Sequence, residues 1–316
     1  MLTVSGLLEG RPESAGLPLE LVSGATGVDR RIASPHIQKT GLALAGFDHY
    51  LQPGRILVFG ESEIRFLDGL EPAARRQALT AAFAHDIPCV LVTAGLDPSA
   101  DLRASADRHR VPLLRTPVPT PVAIAKLTTV LEDALALREV VHGVLMDILG
   151  LGVLIVGESG IGKSECALDL VVRGHRLVAD DVVELRRRGE TAVIGTCPEL
   201  TRHHMEVRGL GVINIRELFG VASTRASKRI ELVVRLERWP DGSAARDGDR
   251  LGLDDAFYEV LGLKVPLVQM PVAPGRSLAI LVEVAARNQI LRARGRHAAR
   301  ELAARLERAL GQGGDR

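Results

Sequence analysis

The sequence predicts an α/β protein in two parts, a small N-terminal α/β domain with a mainly parallel sheet and a larger domain built around a glycine-rich loop. Three observations carry this reading. Residues 55–139 alternate short apolar runs with Ala- and Leu-rich helical stretches, the pattern of β-α-β units and a parallel sheet. Within residues 130–141 that pattern gives way to strand-rich sequence, and the boundary is placed to give parts 1–132 and 133–316. Residues 157–164 read GESGIGKS, an unbroken match to G-x-x-x-x-G-K-[ST].

The elements follow in order. RILVFG (55–60) reads as a strand, and Gly60-Glu61-Ser62 as a strand-to-helix turn with Ser62 as N-cap. EPAARRQALTAAFAHD (71–86) has helical spacing, IPCVLVTAG (87–95) is a strand, and DPSADLRASADRHR (97–110) is a helix with a Ser or Asp cap. VPLLRTP (111–117) is a short strand. TPVAIAKLTTVLEDALALRE (120–139) is a long helix with Thr120 as N-cap and Pro121 in its first turn.

In the second part, HGVLMDILGLGVLIVG (142–157) is two strands joined near Leu149-Gly150, and a helix covers 163–174. RLVADDVVELRRRGETAVIG (176–195) reads as two strands around a charged turn, and MEVRGLGVINIREL (205–218) mixes strand and loop. RIELVVRLERW (229–239) alternates like a strand, and 237–252 is a polar, Gly-rich loop. Residues 277–310 are helical in their later part, with Gly295 a break.

The totals exclude several classes. A net charge of +1 gives no global field toward nucleic acid or an anionic membrane, and 3% aromatics leaves few platforms for stacking bases. No apolar run reaches the ~20 residues of a membrane span, and the N-terminus lacks the pattern of a signal peptide. Cys89, Cys166 and Cys197 show no metal-ligand or redox spacing, so a reducing cytoplasm is the expected setting.

The glycine-rich loop has the right surroundings. VLIV (153–156) supplies a strand before it and SECALDLVVR (164–173) a helix after it. Gly157, Glu158, Ser159, Gly160, Ile161 and Gly162 can turn several backbone N–H groups onto an anion at a helix N-terminus. Lys163 can reach the outer phosphates and Ser164 can ligate Mg²⁺. The similar Gly60-Glu61-Ser62 lacks further glycines and a lysine, so no phosphate site is expected there.

A nucleotide site that does chemistry needs a carboxylate near the γ-phosphate. Asp180 and Asp181 close an apolar run 16 and 17 positions after Ser164. One could orient and deprotonate a hydroxyl, or hold Mg²⁺ through water; a solvated strand end would look the same. In MEVRGLGVIN, Glu206 and Arg208 share one face of an extended segment. They suit Mg²⁺ and phosphate, or an ordinary ion pair. His142, on spacing alone, is a structural histidine, and His203-His204 lack a third ligand for a metal.

HGVLMDILGLGVLIVGESGIGKSECALDLVVRGHRLVADDVVEL, EVRGLGVINIRELFG, DRLGLDDAFYEVLGLKVPLVQMPVAPGR and LVEVAARN together resemble, in order, the HPr kinase/phosphorylase family. DRRIASPHIQKTGLALAGF (29–47) resembles its N-terminal domain. The resemblance implies a catalytic domain akin to phosphoenolpyruvate carboxykinase, usually in a cytoplasmic homohexamer. It implies an enzyme that uses ATP and Mg²⁺ to phosphorylate a regulatory serine of the phosphocarrier HPr, and reverses this with inorganic phosphate to give pyrophosphate.

Carried onto this chain, the resemblance makes Asp181 the proton acceptor, and the donor in reverse. Lys163 becomes the loop lysine, His142 an active-site histidine, Ser164 and Glu206 the Mg²⁺ ligands, and Arg250 a loop arginine. The EVRGLG segment brings Arg208 and Gly209. Pro271, Val272, Ala273, Pro274, Gly275 and Arg276 match a segment important for dephosphorylation. Ser277 stands where many relatives have Asn, and the longer 237–250 loop makes Arg246 a competitor of Arg250. Which of Asp180 and Asp181 is the base stays open. Two other readings compete: a kinase of a small metabolite, and a nucleotide-responsive regulatory protein without catalysis.

Overall fold

The computed structural model describes residues 2–10, 16–238, 255–273 and 275–311. The chain forms two compact units, 1–136 and 137–316.

In the first unit α1 (Val4–Glu9) leads into β1 (Glu20–Ser23), β2 (Gln38–Lys39) and α2 (Gly41–Leu44). Then come β3 (Leu57–Phe59), α3 (Glu61–Gly69), α4 (Pro72–Phe83) and β4 (Val90–Val92). α5 (Ala100–His109), β5 (Leu113–Arg115) and α6 (Thr120–Leu135) complete it. The sheet order is β1-β5-β4-β3-β2, parallel except for β1. The inner strands β3 and β4 are apolar on both faces because both are covered. Leu67, Phe83 and Leu102 pack on Phe59 and Val92 on one side; Val4 and Leu127 pack on Val58 and Leu91 on the other.

Two expected caps differ. α3 starts at Glu61, and its N-terminus is closed by the Glu63 carboxylate on the Gly60 N–H at 3.0 Å, not by Ser62. Thr120 is the first residue of α6, and its hydroxyl bonds Thr93 Oγ1 at 2.7 Å instead of capping the helix. Ser99 does cap α5, accepting from Leu102 N–H.

The second unit begins with β6 (Arg138–His142), β7 (Val144–Ile148), β8 (Leu151–Gly157) and α7 (Lys163–Val172). β9 (Arg176–Ala179), β10 (Val182–Arg188) and β11 (Ala192–Thr196) follow. Residues 176–195 thus hold three strands, not two. The chain breaks at Asp180-Asp181, where Asp181 has φ of 63°, and passes from one sheet to another. Next are β12 (His204–Val207), β13 (Gly211–Asn214), α8 (Ile215–Phe219), β14 (Ser227–Arg229) and β15 (Leu232–Arg238). β16 (Ala256–Val260), β17 (Leu263–Val272), α9 (Leu278–Ala293) and α10 (Ala298–Gly311) end it. α9 already starts at Leu278, so the start of 277–310 is helical too, and the expected break falls at Gly295, with φ of 80°, between α9 and α10.

A six-stranded sheet, β9-β7-β8-β15-β17-β16, is the centre of this unit. β8, β15 and β17 are mutually parallel. β9 and β8 are each antiparallel to β7, so β9 runs their way. α7 and α9 cover one face through Leu170, Val282 and Ala286 on Ile155 and Val234. The second sheet, β14-β11-β10-β6, covers the other through Leu185 and Val193 with Leu154 and Val233. The C-terminal ends of four strands therefore share one edge, where open α/β sheets bind ligands.

β7 and β8 meet in a two-residue hairpin with Leu149 at φ 54° and Gly150 at φ 86°. Both central residues of such a type I′ turn need positive φ, which suits Asn-Gly and strains leucine. Leu149 is also 49% exposed, so little packing offsets the strain. Leu149→Asn is expected to stabilise the protein by about 0.5–1 kcal/mol, read from the urea midpoint.

Candidate active site

The loop between β8 and α7 has the backbone its glycines allow. Gly157, Gly160 and Gly162 sit at φ 153°, 75° and 104°, values that side chains avoid. A Cβ on Gly157 would lie 2.7 Å from the Leu236 carbonyl oxygen, so no side chain fits there. Lys163 Nζ donates to the carbonyls of Gly157 and Glu158, each at 2.9 Å. The amine thus sits over the start of the loop, where it would meet the outer phosphates of a nucleotide.

The two aspartates separate by the kink between them. Asp180 is 5% exposed. It accepts from the Ser164 hydroxyl at 2.9 and 3.2 Å and from the Glu206 N–H at 3.3 Å. Burial pushes its carboxyl above the usual carboxylate range, against the pull of those hydrogen bonds. Asp181 faces away, its side chain 80% exposed, with Oδ1 3.8 Å from His142 Nδ1. The Gly143 N–H holds the Asp181 carbonyl at 3.0 Å. His142 ends β6 directly opposite Val182. The loop is thus flanked by a buried carboxylate on its hydroxyl and a solvated carboxylate beside an imidazole.

β12 alternates as its sequence demands. Met205 and Val207 are buried in the core against α7, while Glu206 and Arg208 are exposed. Arg208 reaches the phosphate loop: a Cβ on Gly160 would collide with its guanidinium. Gly209 and Gly211 carry φ of 86° and 81° in the turn to β13. The 271–276 segment lies at the same edge, since Pro271 and Val272 pair with Glu237 and Arg238 at the end of β15. Ala273 accepts from the Arg276 N–H, Gly275 has φ of 81°, and Ser277 caps α9. Leu278 approaches Gly162. Pro274, Arg246 and Arg250 lie outside the described residues.

The Ser164 hydroxyl and the Asp180 carboxylate meet at 2.9 Å, and Glu206, whose own N–H bonds that carboxylate at 3.3 Å, carries an exposed carboxylate on β12. All are oxygen donors, and one or two carboxylates completed by phosphate oxygens is the set Mg²⁺ prefers. His203 sits 3.5 Å from an Arg216 nitrogen, which suits no cation. The similar turn at 60–62 is closed to anions, because Glu63 already occupies its amide. Asp180 is the site residue whose task sequence spacing left open; its signal was the apolar run that buries it.

Two family descriptions match the chain, "HPr Serine kinase N terminus" over residues 3–131 and "HPr Serine kinase C-terminal domain" over residues 133–306. An HPr kinase/phosphorylase of Geobacter sulfurreducens is 48% identical over 296 residues, covering 92% of each chain. One from Leptospira biflexa is 41% identical over 305 residues, covering 96% of this chain and 94% of its own. The solved HPr(Ser) kinase/phosphatase of Coxiella burnetii is 35% identical over half of this chain and 93% of that one, with a TM-score of 0.46. With both domains matched in order along nearly its whole length, the chain belongs to the HPr serine kinase family.

Proposed function

We infer that the protein is an ATP-dependent protein-serine kinase and phosphorylase acting on HPr. The observation that carries this reading is the solvated Asp181 carboxylate beside His142, at the edge where the phosphate loop opens. A nucleotide sensor needs the loop but no exposed base.

In this reading the loop amides, Lys163 and Arg208 bind the triphosphate and balance the charge of the transferring group. Mg²⁺, held by Ser164 and Glu206 with Asp180 behind them, would supply further charge neutralisation to the phosphates. Asp181 orients the serine hydroxyl and takes its proton late, since a carboxylate is a weak base toward an alcohol. In the reverse reaction inorganic phosphate takes the seat of the β-phosphate and attacks phosphoserine. Asp181 then returns the proton to the serine oxygen and pyrophosphate leaves. The reaction sits in the second unit; the first is read as a non-catalytic domain. A homohexamer in the cytoplasm accords with the family, and no described helix is long and apolar enough to cross a membrane.

The test is incubation with Mg²⁺, labelled ATP and HPr, followed by acid. Acid-stable label on HPr is expected, and a chase with inorganic phosphate should release labelled pyrophosphate. Nucleotide binding without transfer to HPr would sink the reading.

Asp180 offers a separate check. An acid raised by burial costs folding stability when ionised. That cost is absent below its unfolded value near 3.8 and grows as pH rises through the folded value. Asp180→Asn is therefore expected to raise the melting temperature of the free protein at pH 7, with the gain vanishing below about pH 4. It should also weaken Mg²⁺ dependence about 10–100-fold, as loss of a group that orients a ligand does. Melting curves against pH and Mg²⁺ titrations of transfer read both.

A further inference from the structure

Val156 stands between two features on the sheet face opposite α7. On one side is the β6–β7 corner: a Cβ on Gly143 would lie 3.3 Å from Val156 Cγ1. That corner carries His142, with Asp181 beside it. On the other side Val156 pairs in parallel register with Arg235. The Arg235 guanidinium lies over the Tyr258 ring, 5.6 Å from its centroid. A cavity of about 370 Å³ opens here, lined by Gly157, Glu158, Arg235, Arg238 and Tyr258 among others.

The polar groups around this cavity are unevenly matched. Arg238 is paired with Glu158 at 3.1 Å, and Glu237 accepts from Gln269 at 3.2 Å. Among the described residues Arg235 has its ring contact and no carboxylate or carbonyl partner. A half-buried guanidinium on an aromatic face keeps its planar N–H fork free for an oxygen acceptor.

Position decides what that acceptor belongs to. Lys163 marks the Gly157–Glu158 end of the loop as the outer-phosphate end. The cavity is therefore on the acceptor side of the reaction and away from the base and ribose. The lining carries two carboxylates and two guanidiniums, one pair of them already joined, so no net positive field draws a second phosphate dianion here. Arg235 and the β6–β7 corner flank β8 on either side, so on the order of 10 Å separates them at ~4.8 Å per strand. An extended peptide covers that in about three residues.

We propose that this cavity seats the stretch of the acceptor protein about three residues from its target serine, with Arg235 donating to a side-chain oxygen of that stretch. Tyr258 holds the guanidinium in place. The proposal rests on the kinase reading above.

Steady-state kinetics with HPr test it. Arg235→Met keeps the aliphatic stem and removes the fork. It is expected to raise KM for HPr about tenfold or more, as loss of a charged hydrogen bond does, with KM for ATP within about twofold. Arg235→Lys should recover only part of the loss, because lysine lacks the planar fork; it also carries the test should the methionine variant fold poorly. An unchanged KM for HPr, or a shift confined to ATP, overturns the proposal. HPr variants with alanine two to four residues either side of the serine complete a double-mutant cycle. One such position should lose its effect in Arg235→Met enzyme, and additivity at every position also overturns the proposal. If wild-type enzyme binds ATP yet transfers nothing to HPr, the kinase reading itself has failed.

Discussion

Asp181→Asn is expected to cut phosphoryl transfer to HPr by roughly 10²–10⁴-fold, the span of a positioned general base, with ATP affinity nearly unchanged. Phosphorolysis of phosphoseryl-HPr should fall by a similar factor, because the serine oxygen that loses its proton in transfer regains it in phosphorolysis. The substitution keeps shape and removes only charge and basicity. Asp181 makes no bond to the phosphate loop, so nucleotide binding has no reason to move. Its side chain is 80% exposed in the free enzyme, so water screens it until the acceptor covers the site. The docked protein thus completes the water exclusion that strengthens the carboxylate–hydroxyl contact. Single-turnover transfer and nucleotide titration together check this. Full kinase activity in Asp181→Asn would remove Asp181 from the reaction.

How much of this was legible in the sequence depends on how local each feature is. The phosphate loop was fully legible because its strand, glycines, lysine and helix are contiguous. The alternation at 205–208 correctly separated Glu206 and Arg208 from the buried Met205 and Val207. Sequence could say that Asp180 and Asp181 point opposite ways, but not which one faces the core. That is decided by β9 and β10 joining different sheets through the positive φ at Asp181. The 271–276 segment reaches the site through the parallel pairing of β15 with β17, a contact that no local pattern encodes. The strands at 256–272 had no counterpart in the sequence reading, although their turn carried a signal. Leu261-Gly262, with φ of 50° and 72°, repeats the Leu-Gly turn of residues 149–150.

The caps failed for a related reason. Ser62 and Thr120 are the residue types that cap helices, yet the Glu63 carboxylate closes the first helix on the Gly60 N–H, and the Thr120 hydroxyl is taken up by Thr93. Local propensity identified polar helix starts, and tertiary neighbours chose the partners. In Gly60-Glu61-Ser62 that choice has a functional consequence. The Glu63 carboxylate fills the position an anion would need, so two turns of similar sequence differ in whether phosphate can enter.

Lys163→Ala is expected to reduce both the ATP-dependent and the phosphate-dependent reactions by about 10³-fold or more, at the upper end of what one preorganised charge contributes. The two reactions differ in what sits behind the transferring group: ADP in one, inorganic phosphate in the other. Lys163 contacts the loop entrance and would meet the phosphoryl oxygens common to both. A substitution that acted on ADP alone would spare phosphorolysis, whereas this one cannot. In the free protein Lys163 Nζ bonds the Gly157 and Glu158 carbonyls, so it occupies the loop before nucleotide arrives. Binding trades those two hydrogen bonds for phosphate oxygens, and alanine loses both sets. The loop glycines keep their conformation, so weakened nucleotide binding is expected where a collapsed loop would abolish it. Parallel assays of transfer from ATP and of pyrophosphate release decide the matter. Loss of one with retention of the other would mean that the two reactions do not share one phosphate cradle.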